Sequence, residues 1–165
     1  MQSNGPLLTT RAPAPSGWTV ATAVASVVST LLLVWSAAGT AAPASGPIVS
    51  TGTASLGRVL VTGSGRTLYL FEKDKNGKSA CAGKCGQFWP PLIASARPIA
   101  GVGAKASLLG MTKRADGRMQ VTYNHHPLYT FVKDTKKGQT NGEGIDAFGA
   151  EWYAASPAGT AVDEH

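Results

Sequence analysis

The chain has 165 residues, 43% of them apolar and 15% charged, with a formal net charge of +6 at pH 7. No Asp, Glu, Lys or Arg occurs between Arg11 and Arg58, so the charged, domain-like part is roughly 110–120 residues, enough for one modest core and too short for two. The basic residues (Lys73, Lys75, Lys78, Lys84, Lys133, Lys136, Lys137) are scattered through turns and interleaved with acids. That pattern argues against a nucleic-acid partner, which wants a tight basic cluster.

Residues 1–16 are polar and Pro-rich. Residues 18–38 then carry no charge and are bracketed by Trp18 and Trp35. An N-terminal apolar helix is expected there, long enough to cross a bilayer. Ala42-Pro43-Ala44 and Gly39-Thr40-Ala41 both offer the small residues that signal peptidase reads. Residues 1–44 are therefore read as a signal peptide or an uncleaved membrane anchor, and everything after them as exported. No cysteine lies at 38–44, so there is no thiol there to carry a lipid. Residues 45–56, rich in Pro, Ala, Ser, Gly and Thr, read as a flexible linker.

From Gly57 the pattern is all-β. Residues 58–62 and 67–72 read as two strands of a hairpin around Gly63-Ser64-Gly65. In the second strand Tyr69 and Phe71 share one face while Leu68 and Leu70 share the other. Both faces are apolar, which predicts a strand buried on both sides. Residues 79–87 suggest a turn or two of irregular helix. In 88–92, Pro90 and Pro91 forbid a central strand, so this segment reads as an aromatic plug or an edge. A loop at 97–106 leads to a second hairpin, 108–113 with 118–123, bent at Asp116-Gly117. Residues 124–127 turn into a strand at 128–132. A Gly-rich loop, 136–149, precedes a last strand at 151–155, and 157–165 read as a disordered tail.

Sliding the chain by sixty residues superposes Gly57-Arg58 on Gly117-Arg118 and Val61-Thr62 on Val121-Thr122. It also superposes Leu68-Tyr69 on Leu128-Tyr129, Phe71 on Phe131, Lys73-Asp74 on Lys133-Asp134, and Phe88 on Phe148. The domain at 57–156 is thus two tandem units, 57–95 and 117–155. Neither has strands enough to bury its own aromatic face, so the pair is expected to pack pseudo-symmetrically as one small sandwich or barrel. Cysteines occur only in the first unit.

Gly65-Arg66-Thr67-Leu68-Tyr69-Leu70-Phe71-x-x-Asp74, followed by Cys81-x-Gly83-x-Cys85-x-x-x-Trp89-Pro90-Pro91-Leu92, resembles the secreted repeat of unknown function found in bacterial lipoprotein-like proteins. Tyr123-Asn124-x-His126-Pro127-Leu128-Tyr129-x-Phe131-x-x-Asp134 and Phe148-Gly149-x-x-Trp152-Tyr153 fit the same pattern. The resemblance covers about residues 57–155. It departs where His125 stands in place of the usual turn glycine and in lacking a lipobox cysteine. It implies an exported bacterial cell-envelope protein and no established activity.

Cys81 and Cys85, the two cysteines of an exported chain, are expected to form a disulfide. Its short loop limits the entropic stabilisation to below ~3 kcal/mol, so its main effect is to fix the segment from Cys81 to Trp89. The rival reading is redox chemistry or copper held by these thiols, with His125 or His126 as imidazole and Met111 or Met119 as thioether. Tyr69, Phe71, Trp89, Tyr129, Phe131 and Trp152 read as core before they read as a stacking platform for a planar ligand. Asp74 and Asp134, each at a strand end, are expected to bind backbone, with a paired-carboxylate site as the alternative. No nucleophile elbow, zinc-protease or phosphate-loop motif is present, and Glu143 with Asp146 do not make a calcium loop. The sequence points to a non-enzymatic binding or structural module with no cofactor. Its partners are an envelope ligand or protein, and the membrane if the N-terminal segment stays attached.

Overall fold

A computed structural model describes residues 45–162. The expected N-terminal helix, with its choice between signal and anchor, lies outside these residues. Among those described, the chain is mostly strand, with one short helix, α1 (Lys84–Phe88), and a single 3-10 turn at Ala106–Leu108. The strands are β1 (Ile48–Ala54), β2 (Gly57–Thr62), β3 (Tyr69–Phe71), β4 (Ile99–Ala100), β5 (Leu109–Lys113), β6 (Met119–Tyr123), β7 (His126–Pro127), β8 (Ile145–Ala147) and β9 (Ala150–Ala154). They form three three-stranded sheets, ordered β2-β1-β4, β3-β9-β8 and β5-β6-β7.

The linker expected at 45–56 is instead mostly strand. β1 pairs antiparallel with β2 from Val49↔Thr62 to Ala54↔Gly57. Its Thr and Val residues are good strand formers, but only Val49 is fully buried, so the segment shows little apolar signal. The first hairpin is therefore β1–β2, one strand earlier than the composition suggested. It mirrors β5–β6, whose register runs from Leu109↔Tyr123 to Lys113↔Met119. Gly57 (φ 94) and Gly117 (φ 83) enter β2 and approach β6 in the left-handed conformation that glycine adopts without steric cost. The turn at 63–65 is real, with Gly65 N–H bonded to Thr62 O at 2.8 Å and Val61 bridging Thr67. Beyond it, β3 leaves β2 and pairs with β9.

The first repeat's counterpart to β9 is the proline segment. Tyr69↔Ala154 in one half corresponds to the bridge Pro91↔Tyr129 in the other. Likewise Glu72 N–H bonds Glu151 O while Val132 N–H bonds Phe88 O. These equivalences place Phe88 opposite Glu151 and Trp89 opposite Trp152. The sixty-residue offset therefore lengthens to sixty-three past the Gly-rich loop, and Phe88 is not the structural counterpart of Phe148. That loop also supplies β8, which the sequence pattern did not indicate.

Leu68 and Leu70 enter one buried cluster with Val49, Leu60, Val121, Tyr123 and Leu128. Tyr69 and Phe71 enter the other with Trp89, Tyr129, Phe131 and Trp152. β3, with Leu68 just before it, is thus buried on both faces, as its pattern demanded, although it stands at the edge of its three-stranded sheet and is bridged beyond that edge at Tyr69–Tyr129. The tail is ordered through Val162, contrary to the expected disorder. Ser156 N–H bonds Thr160 O at 2.8 Å, Val162 N–H bonds Ala154 O at 2.9 Å, and Ala155 bridges Ala161.

Candidate functional site

The two motif strands meet at Tyr69 and Tyr129. Tyr69 N–H donates to Tyr129 O at 2.8 Å, and Tyr129 N–H donates back to Tyr69 O at 3.1 Å. Each tyrosine side chain then crosses into the other repeat. Tyr69 Oη donates to Asp134 Oδ2 at 2.6 Å, and Tyr129 Oη lies 2.7 Å from Asp74 Oδ2. The remaining carboxylate oxygens take backbone: Asp74 Oδ1 accepts from Ala80 N–H at 2.7 Å, and Asp134 Oδ1 accepts from Asn141 N–H at 2.9 Å. The aspartates thus face opposite repeats, each with both oxygens occupied.

Burial raises the pKa of both hydroxyls, reinforced by the facing aspartates, so Tyr69 and Tyr129 are fixed as protonated donors. Burial also raises Asp74, against the pull of the Ala80 N–H, the Tyr129 hydroxyl and the Arg114 charge. Such groups suit a satisfied polar network better than proton transfer to a substrate.

The aromatic rings repeat the exchange. Phe71 stacks on Trp152 at 4.1 Å, Trp152 on Trp89 at 3.9 Å, and Trp89 on Phe131 at 4.2 Å. Tyr129 meets Trp152 edge-on at 5.1 Å, and Tyr69 meets Trp89 edge-on at 5.3 Å. The six residues that might have made a stacking platform form one interior cluster, four rings stacked and the two tyrosines edge-on. Both tryptophans are shut away from solvent. Gly142 closes it, since a Cβ there would lie 2.6 Å from the Trp89 ring.

Cys81 and Cys85 are joined in a disulfide, and both are buried. The bridge is tied to the Tyr129–Asp74 pair by residues that the sequence did not flag. Arg114, itself buried, donates to Cys81 O at 2.7 Å, Ser79 Oγ at 2.7 Å and Gln120 Oε1 at 2.6 Å. Ser79 Oγ lies 2.8 Å from Tyr129 Oη, and Gln120 passes the chain on to Leu128 O at 2.8 Å. Sixty residues earlier stands Ala54, so the network belongs to one half only. A cleft of about 340 Å³ opens beside it, lined by Cys81, Gln87, Arg114 and Arg118.

The histidines lie elsewhere. Asn124 (φ 48) and His125 (φ 66) form the two-residue loop between β6 and β7. Both φ values are positive, as a type I′ turn requires. Sixty residues earlier, Gly65 (φ 84) holds the equivalent place without the clash that a Cβ brings. His125 and His126 line a cleft of about 440 Å³ with Asp74, Asn76 and Gly77, and no cysteine lines it. Burial lowers the His126 pKa, with further lowering from the His125 and Lys75 charges. Met111 and Met119 sit at β5 and β6, lining a third hollow with Arg97 and Pro98. The suggested copper set of Cys81, Cys85, His125 and His126 is therefore split between two clefts, and its sulfurs are bonded to each other. Among the described residues, no group of three or more His, Cys, Asp or Glu is arranged to hold a metal ion.

A duplicated β unit whose signature tyrosines and aspartates are traded between copies defines a repeat-built β module. The chain belongs to the family described as the secreted repeat of unknown function, whose model matches residues 50–93 and 110–156. The matched segments begin within β1 and at β5, and each takes in a hairpin. No curated protein and no solved structure matches the chain.

Proposed function

We propose that this protein is a non-enzymatic structural or binding module of the bacterial cell envelope, working outside the cytoplasmic membrane. Its family, described as secreted, supports the export. One observation carries the non-enzymatic reading: the motif groups with chemical potential are spent on one another. Both aspartates accept a hydrogen bond on each carboxylate oxygen, both tyrosines are clamped as donors, and the tryptophans are stacked out of solvent. A catalytic set needs a group free to reach a substrate. In this reading the Cys81–Cys85 bridge is a structural brace that holds α1 and Trp89 over the core.

Thiol titration of protein isolated without reductant tests this reading. A fully oxidised pair that resists mild reductant agrees with the brace. Ready reduction with the fold intact would transfer the assignment to redox chemistry or to cuprous copper, since either requires the bond to open.

A further inference from the structure

Two tight turns, one from each repeat, abut. In the first, Asn76 (φ 52) and Gly77 (φ 69) link Lys75 to Lys78, whose N–H donates to Lys75 O at 2.9 Å. The second is the Asn124–His125 loop. A Cβ at Gly77 would lie 3.3 Å from His125 O, so the glycine lets the two backbones come close. His126 stands where two hollows meet at these turns. One, of about 440 Å³, it lines with His125; the other, of about 320 Å³, it lines with Lys75, Tyr153 and Thr160.

The three bases here are unspent. Lys75, His125 and His126 are exposed, and among the described residues none of their side chains has a hydrogen bond or an ion pair. The nearby acids are engaged elsewhere. Both Asp74 carboxylate oxygens are taken, by Ala80 N–H and by the Tyr129 hydroxyl. Glu72 lines the second hollow but acts on Tyr153, whose pKa is raised by its bond to Glu151 and further by the Glu72 charge. The charges that act on His126 are those of His125 and Lys75, both positive.

The other half of the molecule closes the corresponding place. A Cβ at Gly65, the counterpart of His125, would lie 2.9 Å from the Lys137 side chain. Arg66, the counterpart of His126, donates to Phe131 O at 2.6 Å. One copy thus covers the spot with a lysine and ties its arginine down, while the other leaves three bases around open hollows. Three point donors on three separate side chains suit an anion with several terminal oxygens. A planar carboxylate is matched by the two-pronged guanidinium, which this place lacks, whereas ammonium and imidazolium suit a tetrahedral oxyanion.

We infer that the junction around His126 binds a phosphate group, free or as a monoester, with His125 on one side and Lys75 on the other. This rests on the reading of the protein as a binding module and gives it a ligand class. Its failure would leave the state of the cysteines, which tests that reading, unchanged.

The test is an NMR titration of the histidine imidazoles in the disulfide-intact protein, with inorganic phosphate against sodium chloride at equal ionic strength. Phosphate should raise the His126 pKa by about one unit over its value in chloride, a roughly tenfold preference for the imidazolium form. Calorimetry at about pH 6.5, the ordinary histidine pKa, then gives the affinity of variants whose fold circular dichroism confirms. His126→Gln, Lys75→Gln and His125→Asn, which keeps a residue tolerant of the left-handed turn, should each weaken phosphate about tenfold. Lys137→Ala, at the closed counterpart, should leave the affinity unchanged. Tighter binding of glycerol 3-phosphate than of phosphate assigns the site to a monoester whose organic part lies along the hollow lined by Tyr153 and Thr160; equal or weaker binding assigns it to free phosphate. The same His126 pKa in phosphate and in chloride would overturn the inference, as would affinities that the three variants leave unmoved.

Discussion

Removing the Tyr69 hydroxyl tests the crossed architecture at its centre. Tyr69→Phe deletes a 2.6 Å bond to Asp134 Oδ2 and a 3.3 Å acceptor for Gly142 N–H, leaving a buried carboxylate one donor short. A hydrogen bond to a charged group contributes about 1.5–3 kcal/mol, and an orphaned buried partner adds its own penalty, so the loss should be about 2–4 kcal/mol. The single mutant does not say which aspartate the tyrosine serves; double-mutant cycles do. Urea denaturation of the disulfide-intact protein should give a coupling of about 1.5–3 kcal/mol for Tyr69→Phe with Asp134→Asn. The same size is expected for Tyr129→Phe with Asp74→Asn. Within a single repeat, Tyr69 with Asp74 should couple by only a few tenths of a kcal/mol. Larger coupling within a repeat than across would refute the crossing, and with it the claim that the signature exists to lock two copies together.

Trp152→Ala removes one of the two inner members of the four-ring stack and should cost about 3–5 kcal/mol, read as a lower urea midpoint or outright unfolding. Gly142→Ala forces a methyl against the Trp89 ring and should cost about 1–3 kcal/mol in the same assay. His125→Gly relieves a left-handed imidazole residue and should raise stability by about 1 kcal/mol; a loss would show that the imidazole contributes a contact the turn depends on. His126 has a folded pKa below its unfolded value, so its contribution is present above the usual histidine range and lost as pH falls through it. Unfolding free energy should therefore decline from pH 7 to about 5 by a component that His126→Gln abolishes, and Lys75→Gln should raise the His126 pKa seen by NMR.

Much of the module was legible from residue patterns, because duplication printed the same physics twice. The two-faced burial of β3 followed from alternating aromatic and leucine side chains, and the β5–β6 hairpin followed from Asp116-Gly117. β1 was missed because Thr51, Gly52 and Thr53 carry almost no apolar signal, yet β5 shifted back by sixty residues falls on Val49 to Thr53. The ordered tail was missed because its order comes from backbone bonds to Ala154 and Ser156, to which composition is blind. The change of offset to sixty-three was hidden by Phe88 and Phe148, which coincide at sixty without occupying equivalent positions.

The crossing of Tyr69 to Asp134 could not be read at all. Each tyrosine has an aspartate five residues ahead in its own repeat, and spacing alone cannot say that it reaches for the other. Buried Arg114 was equally hidden, since Lys113-Arg114 beside a turn looks like solvated surface. Its burial depends on acceptors from Ser79, Cys81 and Gln120, which only the fold assembles.

The most direct test of the central claim is the set of ring-to-ring NOEs among Phe71, Trp89, Phe131 and Trp152 in the disulfide-intact protein. The exchanged arrangement predicts strong contacts between Phe71 and Trp152 and between Trp89 and Phe131, with the two indoles against each other. Contacts of Phe71 with Trp89 and of Phe131 with Trp152, and none between the indoles, would describe two self-contained repeats and contradict it.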